Sequence, residues 1–91
     1  MIERVIISKG SYHDSAFLMR LAREISELNG VAEAVVLMGT EMNRQLIADA
    51  GFKDPELEQA TPMDLVTAIR ANDQEIFEAA NAELERLLDV A

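Results

Sequence analysis

Two stretches of this chain carry residue types that bind or catalyse. They are Lys9-Gly10-Ser11-Tyr12-His13-Asp14-Ser15, after the apolar Val5-Ile6-Ile7, and Met38-Gly39-Thr40-Glu41-Met42-Asn43, after Ala34-Val35-Val36-Leu37. In each, an apolar run passes through glycine into residues that start helices. The unpaired backbone N–H groups and positive dipole end of a helix start can hold an anion or a carbonyl oxygen. Lys9 and Arg44 lie near the two starts and bring the positive charge that would neutralise a carboxylate or phosphate. The candidate ligand-binding set is Lys9, Gly10, Ser11, Asp14 and Ser15 from the first stretch, with Gly39, Thr40, Asn43 and Arg44 from the second.

The same residues have structural uses. Asp14, Ser15 and Thr40 are types that cap helices through a side-chain oxygen, and Gly10 and Gly39 are types that turn a chain. Tyr12, His13, Asp14 and Ser15 have the look of a nucleophile, base and acid. Sequence neighbours rarely converge in space, however, because catalytic triads are assembled from separated segments, so no residue is assigned a catalytic role. Neither stretch spells a dinucleotide-binding G-x-G-x-x-G or a Walker P-loop, so no cofactor is assigned. The chain has one histidine and no cysteine. Disulfides and cysteine metal sites are thereby excluded, and no spacing of His, Asp and Glu points to a metal. Met19, Met38, Met42 and Met63 fall among apolar positions and read as core filler.

The elements that must position these residues belong to a chain of 91 residues, 49% apolar and 27% charged. That is one small globular domain, with enough apolar area to offset chain ordering but too little for a wide catalytic cleft. A net charge of −9, with three Phe and one Tyr, opposes binding of a phosphate backbone or stacked bases. Residues 72–91 hold six of the acids against Arg86 alone, which marks a solvated helix face. The start of the chain lacks a signal-peptide apolar region and any membrane-spanning length, so a cytoplasmic protein without membrane partners is expected.

Val5–Ser8 reads as a short strand. Residues 14–28 switch to helical period, with Phe17, Leu18, Leu21, Ile25 and Leu28 on one face and Asn29-Gly30 closing the helix. Residues 34–38 are continuously apolar, which suits an interior strand covered by helices on both faces. Thr40 caps a second helix with Met42, Leu46, Ile47 and Ala50 on its apolar side; Gly51 ends it and Phe52 packs back on Ile47. Residues 53–61 form a polar connection. Thr61-Pro62-Met63-Asp64 has the look of a helix start, but Leu65–Ile69 is short and partly β-branched and reads as a strand. Asn72-Asp73 then caps a last helix carrying Ile76, Phe77, Ala80, Leu84, Leu87 and Leu88 on one side.

The order β-α-β-α-β-α predicts a layered α/β domain with a three-stranded, mostly parallel sheet flanked by helices. Parallel strands would bring both glycine stretches and Arg70-Ala71-Asn72 to one C-terminal edge, where open α/β sheets bind ligands. The alternative is a ferredoxin-like split-βαβ sandwich with an antiparallel third strand, which would move Arg70 to the opposite edge. A three-stranded sheet also has open edges, which favours pairing with a second copy or another chain.

Several of these residues together resemble a known family. Gly10 with Asp14-Ser15, Met38-Gly39-Thr40 with Asn43 and Leu46, Ala50-Gly51-Phe52, and Pro62 followed by Asp64-Leu65 and Ala68-Ile69-Arg70 are similar to the N-terminal segment of FdrA-type proteins. These are relatives of the acyl-CoA synthetase, or succinyl-CoA synthetase-like, group. The likeness runs in order through nearly all of residues 1–91 and supports a strand over 65–70. It implies an α/β module that, in long family members, precedes CoA-binding and ligase-like domains, some in a multi-subunit oxamate carbamoyltransferase. The chain stops where those domains would begin, so their CoA, acyl-phosphate and phosphohistidine chemistry is not carried over. The expectation is a non-catalytic subunit that assembles with an FdrA-like or ligase-like partner. The alternative is a homo-oligomeric sensor of small anions or carboxylates.

Overall fold

The computed structural model describes residues 1–89. Strand β1 (Ile2–Ser8) leads to helix α1 (Ser15–Ser26), strand β2 (Val31–Met38) and helix α2 (Glu41–Asp49). A 3₁₀ turn at Pro55–Gln59, strand β3 (Leu65–Ala71) and helix α3 (Gln74–Asp89) complete the order. The strands lie in the order β1-β3-β2, with β3 antiparallel to both neighbours. Strands β1 and β2 are therefore parallel to each other but separated by β3. The α/β class and the element order agree with the sequence reading, and the arrangement is the split-βαβ alternative.

The mostly parallel sheet is corrected by the path between β2 and β3. Helix α2 is nine residues long, about 13–14 Å at 1.5 Å per residue, and the 3₁₀ turn folds the chain back along it. The chain so returns to the edge it left. The Gly39 N–H at the end of β2 donates to the carbonyl of Asp64, at the entry to β3, over 2.9 Å. Strand β3 must then run the opposite way. It takes the interior place expected of β2 and is buried along nearly its whole length, whereas β2 is an edge strand.

Side chains alternate between two apolar layers, as strand pleating requires. Leu65 and Ile69 face the layer formed by Leu18, Leu21 and Ile25 of α1 with Phe77 and Leu84 of α3. Val66 and Ala68 face the second layer, built from Ile47, Phe52, Leu57 and Ala60. Val36 and Met38 of β2 join the first layer, and Val35 and Leu37 pack on the second. Both faces of the continuously apolar β2 are thus covered, although the strand lies at an edge. Full burial of side chains of this size contributes about 1.5–3 kcal/mol each, which is how so small a chain offsets its ordering.

Local chemistry sets the helix limits. Asp14 caps α1, its Oδ2 accepting the N–H groups of Ala16 at 3.0 Å and Phe17 at 3.2 Å. Thr40 caps α2 by accepting the Asn43 N–H at 3.1 Å. Gly51, at φ +98°, ends α2: its N–H donates to the Ala48 carbonyl at 3.0 Å and that of Phe52 to the Ile47 carbonyl at 3.3 Å. This is the paired bonding of a Schellman stop. The acidic α3 buries Phe77, Ala80 and Leu84.

Arg70 lies near the end of β3, opposite the glycine stretches. Its Nε donates to Glu3 Oε1 at 2.7 Å, Nη1 to Glu33, and Nη2 to the Ala50 carbonyl at 3.2 Å. The guanidinium carbon stands 4.3 Å from the centre of the Phe52 ring. One planar cation thereby joins all three strands to the end of α2. The hydrogen bond with Glu3, more than any other influence, holds the Arg70 pKa above its ordinary value.

Candidate functional site

Because β1 and β2 are parallel, the two glycine stretches emerge side by side at one edge of the sheet, with the start of β3 between them. Asp64 occupies that point and is 4% exposed. Its carboxylate accepts the Gly10 N–H at 2.9 Å, the Thr61 N–H at 2.9 Å and the Lys9 Nζ at 3.3 Å. Its backbone carbonyl takes the Gly39 N–H. A single residue thus fastens both stretches. The hydrogen bonds from Gly10 and then Thr61 hold the Asp64 pKa at about 2, and Lys9 adds to them.

Gly10 adopts φ +67°, with open space where a Cβ would stand. Gly39 has an ordinary φ, but a Cβ there would lie 2.7 Å from the Thr61 carbonyl oxygen and 2.9 Å from Ala60 Cβ. The first glycine is needed for its backbone conformation, the second for close approach.

The other expected site residues fall around the same edge. Asn43 Nδ2 donates to the Met38 carbonyl at 2.9 Å, and Ser11 Oγ lies 3.1 Å from His13 Nε2. Arg44 donates from Nε to the Gly39 carbonyl at 3.2 Å and from Nη1 to the Glu58 carbonyl at 3.1 Å. Lys9 pairs with Asp64. The two cations expected to neutralise a ligand are therefore engaged with the protein itself.

A cavity of about 350 Å³ opens between the two stretches. Ser15, Thr40 and Asn43 contribute to its wall, as do Leu18, Leu37 and Met38. Tyr12 and Met63 stand at its sides, 63% and 57% exposed. Lys9, Gly10, Ser11, Gly39 and Arg44 are not among its lining residues. Asp14 is the one aspartate or glutamate in the wall, and no lysine or arginine is present there. On the far side of the first stretch, Ser11 and His13 face Glu85 and Asp89 of α3 across a second cavity.

Among the methionines read as core filler only Met38 is buried; Met19, Met42 and Met63 are exposed. Leu46 is exposed too, so of the apolar side expected for α2 only Ile47 is buried and Ala50 partly so. A nine-residue helix anchored at its far end by Phe52 rests on the sheet through Ile47 and leaves Met42 and Leu46 in water. The sequence reading places Asp64 in a helix-start pattern and Arg70 at the ligand-binding edge of a parallel sheet, and misses the anchoring role of each. The signal in each case is a charged residue inside or against an apolar strand, which must find partners because its burial is costly.

A family model described as the heavy metal-associated domain of AllF matches residues 1–91. The uncharacterized protein YahF of Escherichia coli (strain K12) is 35% identical over 89 residues, which cover 98% of this chain and 17% of YahF. The chain thus spans a small part of that relative's length. No solved structure matches it.

The family description raises the question of a metal, and the donor set answers it. The chain has no thiolate, the ligand on which soft heavy metals chiefly rely. Asp14 and Asp64 are occupied with backbone N–H groups. Among the described residues no cluster of three His, Cys, Asp or Glu side chains is placed to hold an ion. The residues do not fit a thiolate-held heavy metal.

Proposed function

Because the chain belongs to the family of AllF heavy metal-associated domains, we propose that it acts as a non-catalytic assembly module for an FdrA-like, acyl-CoA synthetase-related partner. The observations that carry this reading are the family match along residues 1–91 and the likeness to a much longer relative, of which this chain covers 17%. A fold unit of this kind contributes surface rather than reaction chemistry when its charged groups are spent on its own backbone, as Asp64, Arg44 and Arg70 are. The FdrA-like residues quoted above, Gly10, Asp14, Gly39, Thr40 and Asn43 among them, then serve to shape the edge at which the two glycine stretches meet. The proposed compartment is the cytoplasm. Among the described residues no helix is long and apolar enough to cross a membrane.

Co-expression with an FdrA-like or ligase-like chain, followed by size-exclusion chromatography at micromolar concentration, tests the proposal. A stable complex is expected; separate elution would overturn it.

A second reading, a sensor of small anions or carboxylates, draws on the convergence of two helix starts at one cavity. The pairing of Lys9 and Arg44 within the protein favours assembly over this reading. A thermal-shift screen of carboxylates, carbamoyl compounds, phosphates and CoA esters separates the two. Ligand at 100 times its dissociation constant would stabilise the fold by about 2.7 kcal/mol. The assembly reading expects no shift.

A further inference from the structure

We infer that the cavity between the two glycine stretches is a docking site for a basic amphipathic helix of a protein partner, one apolar side chain of which enters the cavity. The inference rests on the assembly reading and names the surface and the chemistry through which assembly occurs.

Three observations converge on it. The first is the apolar rim. Tyr12 and Met63 flank the opening, and Met42, which is 74% exposed, and Leu46 stand one turn apart on the neighbouring α2. These are large side chains that a chain with two apolar layers has left in water, and Met is suited to surfaces that adapt to a partner. The second is depth. The cavity holds about 350 Å³ and reaches Leu18, Leu37 and Met38, giving an anchor side chain an apolar floor.

The third is charge. Asp14 lies in the wall, Glu41 precedes Met42, and Glu85 and Asp89 stand beyond His13. No lysine or arginine lines this cavity, and the whole chain carries −9. The net charge of −9 disfavours a second copy of the same chain and favours lysine and arginine flanking an apolar anchor.

The test uses the 91-residue protein and three synthetic helical peptides. One carries leucine on one face and lysine on the other, the second replaces its leucines with serine, and the third replaces its lysines with glutamate. Binding is followed by amide chemical shifts. The leucine–lysine peptide is expected to bind saturably, with shifts centred on Tyr12, Ser15, Asn43 and Met63. The serine and glutamate peptides are expected to bind at least about tenfold more weakly, and a Tyr12→Ser, Met63→Ser double variant to lose about tenfold for the first peptide.

Both substituted side chains are exposed, and an unchanged amide spectrum elsewhere confirms that the variant folds. Equal binding of the serine peptide, or shifts confined to α3, would overturn the inference. So would concentration-dependent shifts of the same residues without peptide, which would make a second copy the occupant. The double variant is also co-expressed with the ligase-like chain. Loss of a complex that the unaltered protein forms supports the docking face. A retained complex without peptide binding refutes the face while the assembly reading stands. No complex with the unaltered protein refutes the assembly reading itself.

Discussion

Replacing Gly39 with alanine puts a methyl group where the end of β2 passes the segment entering β3. The new Cβ would lie 2.7 Å from the Thr61 carbonyl oxygen and 2.9 Å from Ala60 Cβ. Neither obstacle is the far end of a flexible side chain, so relief must come from moving backbone. The movement stretches the 2.9 Å bond from Gly39 N–H to the Asp64 carbonyl and, through Asp64, disturbs Gly10. Overpacking of this kind costs about 1–3 kcal/mol, and the smaller freedom of the unfolded alanine chain returns about 0.4–1 kcal/mol. The expected net loss is roughly 1–2 kcal/mol. For a domain of this size that lowers Tm by about 5–15 °C.

Urea unfolding followed by circular dichroism should show a lower midpoint with an unchanged slope. Gly10→Ala is the informative companion. Its Cβ meets nothing within 4 Å, so its cost is that of a positive φ alone, about 1–2 kcal/mol, and Gly10→Asn should recover much of it. A Gly39→Ala protein that melts within about 2 °C of the parent would refute the close-approach reasoning.

Three further outcomes are expected. The folded-state pKa of Asp64, about 2, lies below its ordinary value of 3.8. Its contribution to stability is therefore complete above pH 4 and lost as pH falls toward 2; urea midpoints should fall over that window, and less steeply in Asp64→Asn. Arg70→Lys keeps the charge but loses the planar fork between Glu3, Glu33 and the Phe52 ring, so it should cost about 1–2 kcal/mol by urea unfolding, while Lys53→Arg on the surface should be neutral. Equimolar zinc or cuprous ion should leave Tm unmoved; a stoichiometric complex by calorimetry would overturn the donor argument.

What the sequence disclosed and what it hid divide along the range of the interactions involved. Asp14, Thr40 and the Gly51-Phe52 stop act within a few residues, so the helix limits follow from local chemistry and are legible. Leu65–Ile69 is legible as a strand for the same reason, because β-branched residues and the preceding proline turn compete locally. Its direction depends on where the chain has returned after α2, a matter settled by the Gly39–Asp64 contact 25 positions apart. No periodicity records that.

Helical period alone overstates the burial of α2: Met42 and Leu46 have the spacing of a buried face, yet the helix seats through Ile47 with Phe52 and leaves them in water. Asp64 and Arg70 carry signals of their own, but their partners, Gly10, Glu3 and Glu33, are tens of residues distant.

The place of β3 between β1 and β2 governs how the molecule can come into being. Strands β1 and β2 share no hydrogen-bonded ladder, so no sheet exists in the first 64 residues however well their helices form. On a ribosome the chain must wait until residues 65–71 have emerged before either of these strands finds its partner. The closures then differ in length, 25 positions at Gly39–Asp64 against more than fifty at Gly10–Asp64 and Glu3–Arg70, so the pairing of β2 with β3 costs less chain entropy than that of β1. Cleavage between α2 and β3 would remove the keystone and release both remaining strands at once.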